Sequence, residues 1–239
     1  MLTAVMQPTF LPWLGYFDMI RRADAFVFLD DAQLSPKSWL VRNRIPKMND
    51  SHEWLSIRAS SNLPLNRRFL NHTKLKDGLA DSNRIRSQIE MRYGINSEAY
   101  SLILNVLREI ESPVSISEIN ISMIQKLCSF FSIDTLIFKA SELGVSGSRS
   151  NKILGLLNVV GASRYLVAPG SISYMKLDPI WADRTDRCVI HNYETQPYYQ
   201  RGCKKFVSHM SVIDVILELG ERAAVEVLRA GSREPIAWN

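Results

Sequence analysis

The chain has few cysteines, and the three that it has, Cys128, Cys188 and Cys203, are far apart and form no CxxC pair. Disulfide frameworks and zinc sites both depend on characteristic ligand spacings, and the histidines are scattered in the same way. The sequence therefore predicts no metal centre and implies no cofactor. The adjacent carboxylates Asp30 and Asp31 could still recruit Mg²⁺ alongside a phosphate-bearing substrate.

Long apolar runs and strong charge of one sign are also missing. Gln7-Pro8 interrupts the first apolar stretch, so we expect no secretory signal, no membrane-spanning segment and a cytoplasmic location. The net charge of +5 is spread along the chain. It permits a phosphate-bearing or sugar-nucleotide ligand, RNA or an anionic membrane without requiring any of them. The densest basic stretch, 67–76, has a single aromatic residue, Phe69, where stacked bases would need several interleaved with charge, and it is predicted to be a solvated loop.

The first 45 residues contain a strand, a loop rich in proline and tryptophan, a helix and a second strand. The strands are predicted at 2–6 and 25–30. Ligands of open α/β sheets bind at the carboxyl ends of strands, so we expect Gln7 and Asp30 to lie at one edge of the sheet.

The hydrophobic period then changes from that of strands to that of helices. Three segments between 81 and 131 carry apolar residues at three- and four-residue spacing, with helix starts expected at Ser97 and Ser117. Strands return at 134–139 and 164–168. We therefore predict an α/β fold with an open, mostly parallel sheet, and a single domain, 1–239, with 81–131 as an inserted helical block.

A glycine- and serine-rich loop precedes the predicted helix at 153–160. Its free N–H groups, with Arg149 and Lys152, suit an anion. The loop matches neither the Walker pattern nor GxGxxG, so an ordinary helix start explains it equally well.

The C-terminal third carries polar and aromatic residues before a helix that ends at Gly220. Ser211 is predicted to cap this helix, with Asp214 three residues later as in a capping box. His209 could act as a general base, but one histidine near a serine and an aspartate does not define a catalytic triad.

Three segments together resemble the WbqC-like family: QPTFLPWLGYFDMIRRADAFVFLDDAQLSPKSWLVRNRI, GASRYLVAPGSISYM and YYQRGCKKFVSHMSVIDVILELG. The similarity spans nearly the whole chain, and the first motif is specific. One departure is Val41, where the family tends to have asparagine. Matching positions include Gln7, Trp13, Tyr16, Asp30, Trp39, Arg42, Asn43, Tyr174, Tyr199, Gln200, Ser211 and Asp214.

Members of this family occur in bacterial clusters for O-antigen and related surface polysaccharides. The resemblance implies transfer of an acyl or aminoacyl group, with glycyl as one version, to an amino sugar or its nucleotide in lipopolysaccharide assembly. It implies an activated donor, and contact with tRNA if that donor is aminoacyl-tRNA.

We assign provisional roles to the residues on this basis. Asp30 is the expected proton acceptor, and the expected donors to the oxyanion are Gln7, Arg42 and Asn43. The expected substrate-binding residues are Trp13, Tyr16, Trp39, Arg149, Lys152, Tyr174, Tyr199, Gln200 and His209. Two alternatives remain: a nucleotide-binding or nucleotidyltransferase-like enzyme, which the lack of histidines near Gly15 disfavours, and a non-catalytic glycan-binding partner.

Overall fold

The computed structural model describes residues 1–35, 37–60, 64, 67–95 and 98–238. Its strands are β1 (Leu2–Met6), β2 (Ala25–Phe28), β3 (Arg42–Lys47), β4 (Ser51–Ser56), β5 (Leu136–Lys139), β6 (Arg164–Val167), β7 (Cys188–Ile190) and β8 (Ile236–Ala237). Its α-helices are α1 (Leu14–Arg22), α2 (Gly78–Tyr93), α3 (Glu98–Leu107), α4 (Ile116–Phe130), α5 (Arg149–Val159), α6 (Ile172–Met175), α7 (Val212–Leu219) and α8 (Glu221–Gly231).

The main sheet has six strands in the order β5-β2-β1-β6-β7-β8. All neighbouring pairs are parallel except β7 and β8. The predicted open, mostly parallel α/β sheet is confirmed, and β1 and β5 belong to the same sheet as expected. β1 lies at the centre, where both of its faces are buried, which explains its apolar sequence.

Each face of the sheet is covered by a separate hydrophobic cluster. One cluster joins Phe26 of β2 and Phe17 of α1 to buried isoleucines of the helical block, such as Ile103 and Ile124. The other joins Val27 to Leu156 of α5. The core of the helical block is thus continuous with one face of the sheet.

The start of α4 lies two residues earlier than the sequence suggested. Ser115 is its N-cap, and Ser115 and Glu118 form a capping box, because each side chain bonds the other's backbone N–H. Ser117 is buried inside the helix. The start expected at Ser97 falls outside the described residues.

β3 and β4 form a separate antiparallel pair. Asn49 and Asp50 in its turn have φ values of 75° and 60°. These two residue types tolerate the left-handed region better than most, so the tight turn is encoded locally. The pairing of β3 with β4 was not predicted from the sequence.

Candidate functional site

The loop between β1 and α1 is fixed by buried side chains from three distant parts of the chain. The Asn43 amide and the Ser211 hydroxyl each donate to the Leu11 carbonyl oxygen at 2.8 Å. The Asn120 amide donates to the Pro8 carbonyl oxygen at 2.9 Å. Leu11 has a φ of 42°, a conformation that persists only where the surroundings fix it. The loop is therefore a rigid frame at the carboxyl end of β1.

A cavity of about 330 Å³ opens beside this loop. We call it the Trp13 cavity. It is lined by Met6, Thr9, Trp13, Tyr16, Trp39, Asn43, Arg44 and His209. Most of its wall is apolar or aromatic, and its place at the end of β1 is where open α/β sheets bind ligands. The structure thus brings together Trp13, Tyr16, Trp39, Asn43 and His209, which the sequence predicted as site residues.

Trp13 and Tyr16 are held firmly in the wall of the cavity. The Tyr16 hydroxyl donates to the Gln7 carbonyl oxygen at 2.9 Å, and burial raises its pKa well above the ordinary value. A Cβ atom at Gly15 would lie 2.3 Å from the Trp13 indole. Glycine at position 15 therefore lets the indole lie across the start of α1.

His209 contributes its imidazole ring to the wall of this cavity. Its ring centre lies 4.8 Å from that of Trp13, and its Nδ1 lies 2.9 Å from the Ser208 hydroxyl oxygen. Burial, and secondarily the charge of Arg44, lower its pKa below the ordinary value. The imidazole is therefore unprotonated at neutral pH and able to accept a proton. Its φ of 58° adds a second strained residue to the site.

Arg44 supplies the positive charge of the cavity. Its guanidinium carbon lies 5.3 Å from the Trp39 ring centre, and one Nη donates to the His209 carbonyl oxygen at 3.4 Å. Its Nε is buried and has no hydrogen-bond partner within the described part of the chain. Burial lowers its pKa, but a guanidinium stays charged at neutral pH. Arg44 therefore offers a buried donor to an anionic group.

Arg44 was not among the site residues predicted from the sequence. A signal was available, because residues two apart on a strand share a face and Arg44 follows Arg42 at that spacing. The Arg42 guanidinium itself lies over Trp54 at 4.0 Å from the ring centre, beside the cavity and not in its wall.

A second cavity, of about 750 Å³, lies at the neighbouring strand end. It is lined by Leu29, Arg149, Ser150, Lys152, Ile153, Tyr174, Leu177, Asp178 and Pro179. The predicted residues Arg149, Lys152 and Tyr174 thus lie together, but apart from the Trp13 cavity. Lys152 is paired with Asp31, and the Ser150 hydroxyl donates to Asp178 at 2.5 Å. Asp31 therefore already compensates the charge of Lys152, one of the two residues predicted to attract an anion.

Asp30 faces Ser141 and lines neither cavity in the described structure. The Ser141 backbone N–H and hydroxyl donate to its two carboxylate oxygens at 2.9 and 2.5 Å, and the residue is 3 % exposed. Both oxygens are occupied by these bonds, which tie the end of β2 to the segment after β5. We therefore withdraw the assignment of Asp30 as the proton acceptor.

Gln200 belongs to a buried network centred on Asp214. Its amide nitrogen donates to Asp214 at 2.8 Å, and its amide oxygen accepts the Val207 backbone N–H at 2.8 Å. The hydroxyls of Tyr93 and Tyr198 donate to the same carboxylate at 2.7 and 2.6 Å. Gln200 is thus a structural residue, and its assignment to substrate binding is corrected.

The predicted capping role of Asp214 is also wrong. Ser211 occupies the N-cap position of α7, but its side chain makes no capping bond and instead holds the loop at Leu11. The Asp214 carboxylate points into the protein. Burial raises its pKa, while its three hydrogen bonds oppose that shift.

The remaining predicted residues lie outside both cavities. Gln7 is half-buried directly after β1, and Tyr199 is 66 % exposed. Neither is among the lining residues in the described structure. The residues predicted from the sequence are therefore divided among two cavities, a buried network and positions outside them.

The described residues contain no group of three or more His, Cys, Asp or Glu side chains arranged to hold a metal ion. Their helices include none with the length and apolar character needed to cross a bilayer.

The fold and this site define an α/β protein with a rigid aromatic cavity at the end of its first strand. The model of the WbqC-like protein family matches residues 7–226, so the chain belongs to that family, as its sequence motifs indicated. A relative from Mycobacterium tuberculosis, described as uncharacterized protein Rv1507c, is 23 % identical over 227 residues. The match covers 92 % of this chain and 94 % of the relative. No solved structure gave a significant match.

Proposed function

We propose that the protein transfers an acyl or aminoacyl group to the amino group of a sugar during assembly of a bacterial surface polysaccharide. The observation that carries the proposal is the meeting of His209 and Arg44 with Trp13 and Trp39 in one cavity. Membership of the WbqC-like family supports the biological setting, because relatives occur in clusters for such polysaccharides.

The aromatic walls suit a sugar ring. Pyranose rings have apolar faces that pack on flat aromatic side chains, while their hydroxyl groups need hydrogen-bond partners. Trp13 and Trp39 supply such surfaces, and the cavity volume of about 330 Å³ is at the small end of the roughly 300–1,000 Å³ of small-ligand pockets. We therefore place the acceptor sugar between these two side chains.

His209 is the proposed proton acceptor in place of Asp30. The sugar amine attacks the carbonyl carbon of an activated ester or thioester, which forms the C–N bond. His209 takes the proton that the nitrogen loses and passes it to the oxygen or sulfur that departs with the broken bond. A neutral imidazole suits this role because its lowered pKa keeps it unprotonated at neutral pH.

Arg44 is the proposed stabiliser of the charge that develops on the carbonyl oxygen. Its buried Nε–H lacks a protein partner in the described structure and belongs to a permanently charged group. Preorganised donors of this kind contribute strongly when the charge appears only in the transition state. The substrate oxygen would satisfy a donor that the fold leaves unpaired.

The test is incubation of the purified protein with a panel of amino sugars, nucleotide amino sugars, acyl thioesters and aminoacyl-tRNAs, followed by mass spectrometry. His209→Asn is the diagnostic variant, because asparagine tolerates a positive φ but cannot accept the proton. His72→Asn is the matched control, since His72 is exposed and lines neither cavity in the described structure. A transfer product whose rate falls about 10²-fold in the first variant alone supports the proposal. Equal rates in both variants would exclude His209 as the base.

A further inference from the structure

One face of the β3–β4 pair carries arginine and tryptophan side chains next to the Trp13 cavity. Arg44 pairs with Trp54 across the strands, and Arg42 lies two residues before Arg44. The Trp39 and Trp54 ring centres are 5.5 Å apart, and the two guanidinium groups lie 4.0 and 5.3 Å from tryptophan ring centres. We call Trp39, Arg42, Arg44 and Trp54 the Arg–Trp face.

The Arg–Trp face carries uncompensated positive charge. Neither Arg42 nor Arg44 forms an ion pair within the described residues. The neighbouring acid, Glu53, alternates to the opposite side of the strand, where it accepts the Gln88 amide at 2.6 Å. Two guanidinium groups without acidic partners call for an anionic ligand, and guanidinium geometry matches phosphate.

The Arg–Trp face also has room for a flat ring. Trp39 is 46 % exposed although Trp54 and Arg44 pack against it. Aromatic bases stack on exposed indole rings of this kind. Trp39 and Arg44 also line the Trp13 cavity, so one ligand can extend from the face into the cavity.

We infer that the Arg–Trp face binds the nucleoside diphosphate part of a nucleotide-activated amino sugar. The phosphates bind Arg42, which lies outside the Trp13 cavity, so that Arg44 stays available for the transfer step. The base stacks on the solvent-exposed part of Trp39, and the sugar enters the Trp13 cavity. The cavity holds a sugar ring but is small for a whole nucleotide sugar, which is why the remainder lies outside it. The position of the sugar rests on the proposed function, whereas nucleotide binding is measurable without any transfer.

The experiment is calorimetric titration of the intact protein with UDP, dTDP, GDP and ADP. We expect at least one of these nucleotides to bind. Arg42→Gln should weaken its affinity about tenfold or more, because a charge-assisted contact with the phosphates is lost. Trp39→Leu should weaken it by roughly tenfold through loss of stacking. Arg222→Gln is the control for loss of charge, since the Arg222 side chain is 94 % exposed on α8. Thermal unfolding of each variant separates loss of binding from loss of fold, and Arg42→Lys, which keeps the charge, should retain part of the affinity.

Three results would overturn the inference. The first is failure of all four nucleotides to bind. The second is equal nucleotide affinity in Arg42→Gln and Arg222→Gln. The third is binding of a short single-stranded RNA far more tightly than any nucleotide, with loss of that binding in Arg42→Gln, which would make RNA the ligand of this face.

The inference and the proposed function fail separately. If the protein binds a nucleotide through Arg42 but transfers no acyl group, the inference stands and the proposed function is wrong. If the protein acylates a free amino sugar but binds no nucleotide, the proposed function stands and the inference is wrong.

Discussion

Replacement of Asp214 provides the sharpest test of the packing described here. Its carboxylate accepts hydrogen bonds from Tyr93, Tyr198 and Gln200 at 2.6–2.8 Å in a buried setting. Asp214→Ala would leave three donors without their acceptor, and each buried unsatisfied donor costs about 1–3 kcal/mol. The half-buried Tyr198 can turn to water, and Gln200 keeps its bond to Val207. We therefore expect a loss of about 3–5 kcal/mol, near or above the upper part of what a single mutation usually costs.

Asp214→Asn should be milder. The asparagine amide oxygen can accept from Tyr198 and Gln200, while its nitrogen faces the Tyr93 hydroxyl oxygen and leaves the hydroxyl proton without its acceptor. One lost bond corresponds to about 1–2 kcal/mol. Tyr93→Phe should destabilise the wild-type protein yet be neutral or stabilising in Asp214→Ala, because it removes the orphaned donor.

Urea and thermal unfolding followed by circular dichroism measure these differences. In a chain of this size, about 3 kcal/mol lowers Tm by roughly 6–12 °C. Glu226→Ala is the surface control, because the Glu226 side chain is 67 % exposed, and it should stay within about 0.5 kcal/mol. A cost below about 1 kcal/mol for Asp214→Ala would refute the buried network and restore the helix-cap interpretation.

The Asp214 carboxyl group also makes the free energy of unfolding depend on pH, and the sign of this dependence follows from its pKa. Burial raises the pKa of Asp214 in the folded protein above the ordinary aspartate value of about 3.9. The folded state then binds the proton more tightly than the unfolded state, so this group's contribution to stability is complete at low pH and declines as pH rises above about 4. Asp214→Asn has no such proton. The difference in unfolding free energy between wild type and variant should therefore shrink as the pH is raised.

Three further predictions follow from the same structure. In the pH profile of kcat/KM for transfer, the fall on the acid side should have its midpoint below pH 6.5, because the pKa of His209 is lowered. His209→Asn should abolish this fall, and a midpoint above pH 7 would contradict the role of His209. Asp30→Asn should lower stability by about 1–3 kcal/mol through its bonds to Ser141 and leave turnover of the folded protein within a few-fold; a 10²-fold loss of turnover in a stable variant would return the base to Asp30. Ser115→Ala should cost about 1 kcal/mol in chemical denaturation by breaking the capping box with Glu118, whereas Ser129→Ala on the exposed side of the same helix should cost less.

Much of the fold was predictable because its signals are local. The apolar runs at 2–6 and 25–28, the change of hydrophobic period after residue 78, and the glycine that ends α7 each lie within a few residues of the structure they specify. The cavity was partly predictable for the same reason, since Trp13 and Tyr16 sit at the end of the first strand.

The roles of individual polar residues were harder to predict because their partners are remote. Ser141 is 111 residues from Asp30, and Tyr93 is 121 residues from Asp214. The neighbouring sequence does not distinguish a carboxylate that is hydrogen-bonded to a distant residue from one that faces a substrate. The spacing from Arg42 placed Arg44 on one face of a strand, but its place in the cavity depends on Trp13, Trp39 and His209, which come from other parts of the chain.

The hydrogen bonds that fix the loop between β1 and α1 have a consequence for the order in which the protein folds. The Leu11 carbonyl is held by Ser211, 200 residues later in the chain, and Val212 donates its N–H to Pro12 at 2.8 Å. During synthesis from the N-terminus, the first strand and its loop leave the ribosome long before these partners exist. The Trp13 cavity can therefore form only after the chain has been synthesised as far as α7. Ligand binding would then indicate that nearly the whole chain has folded.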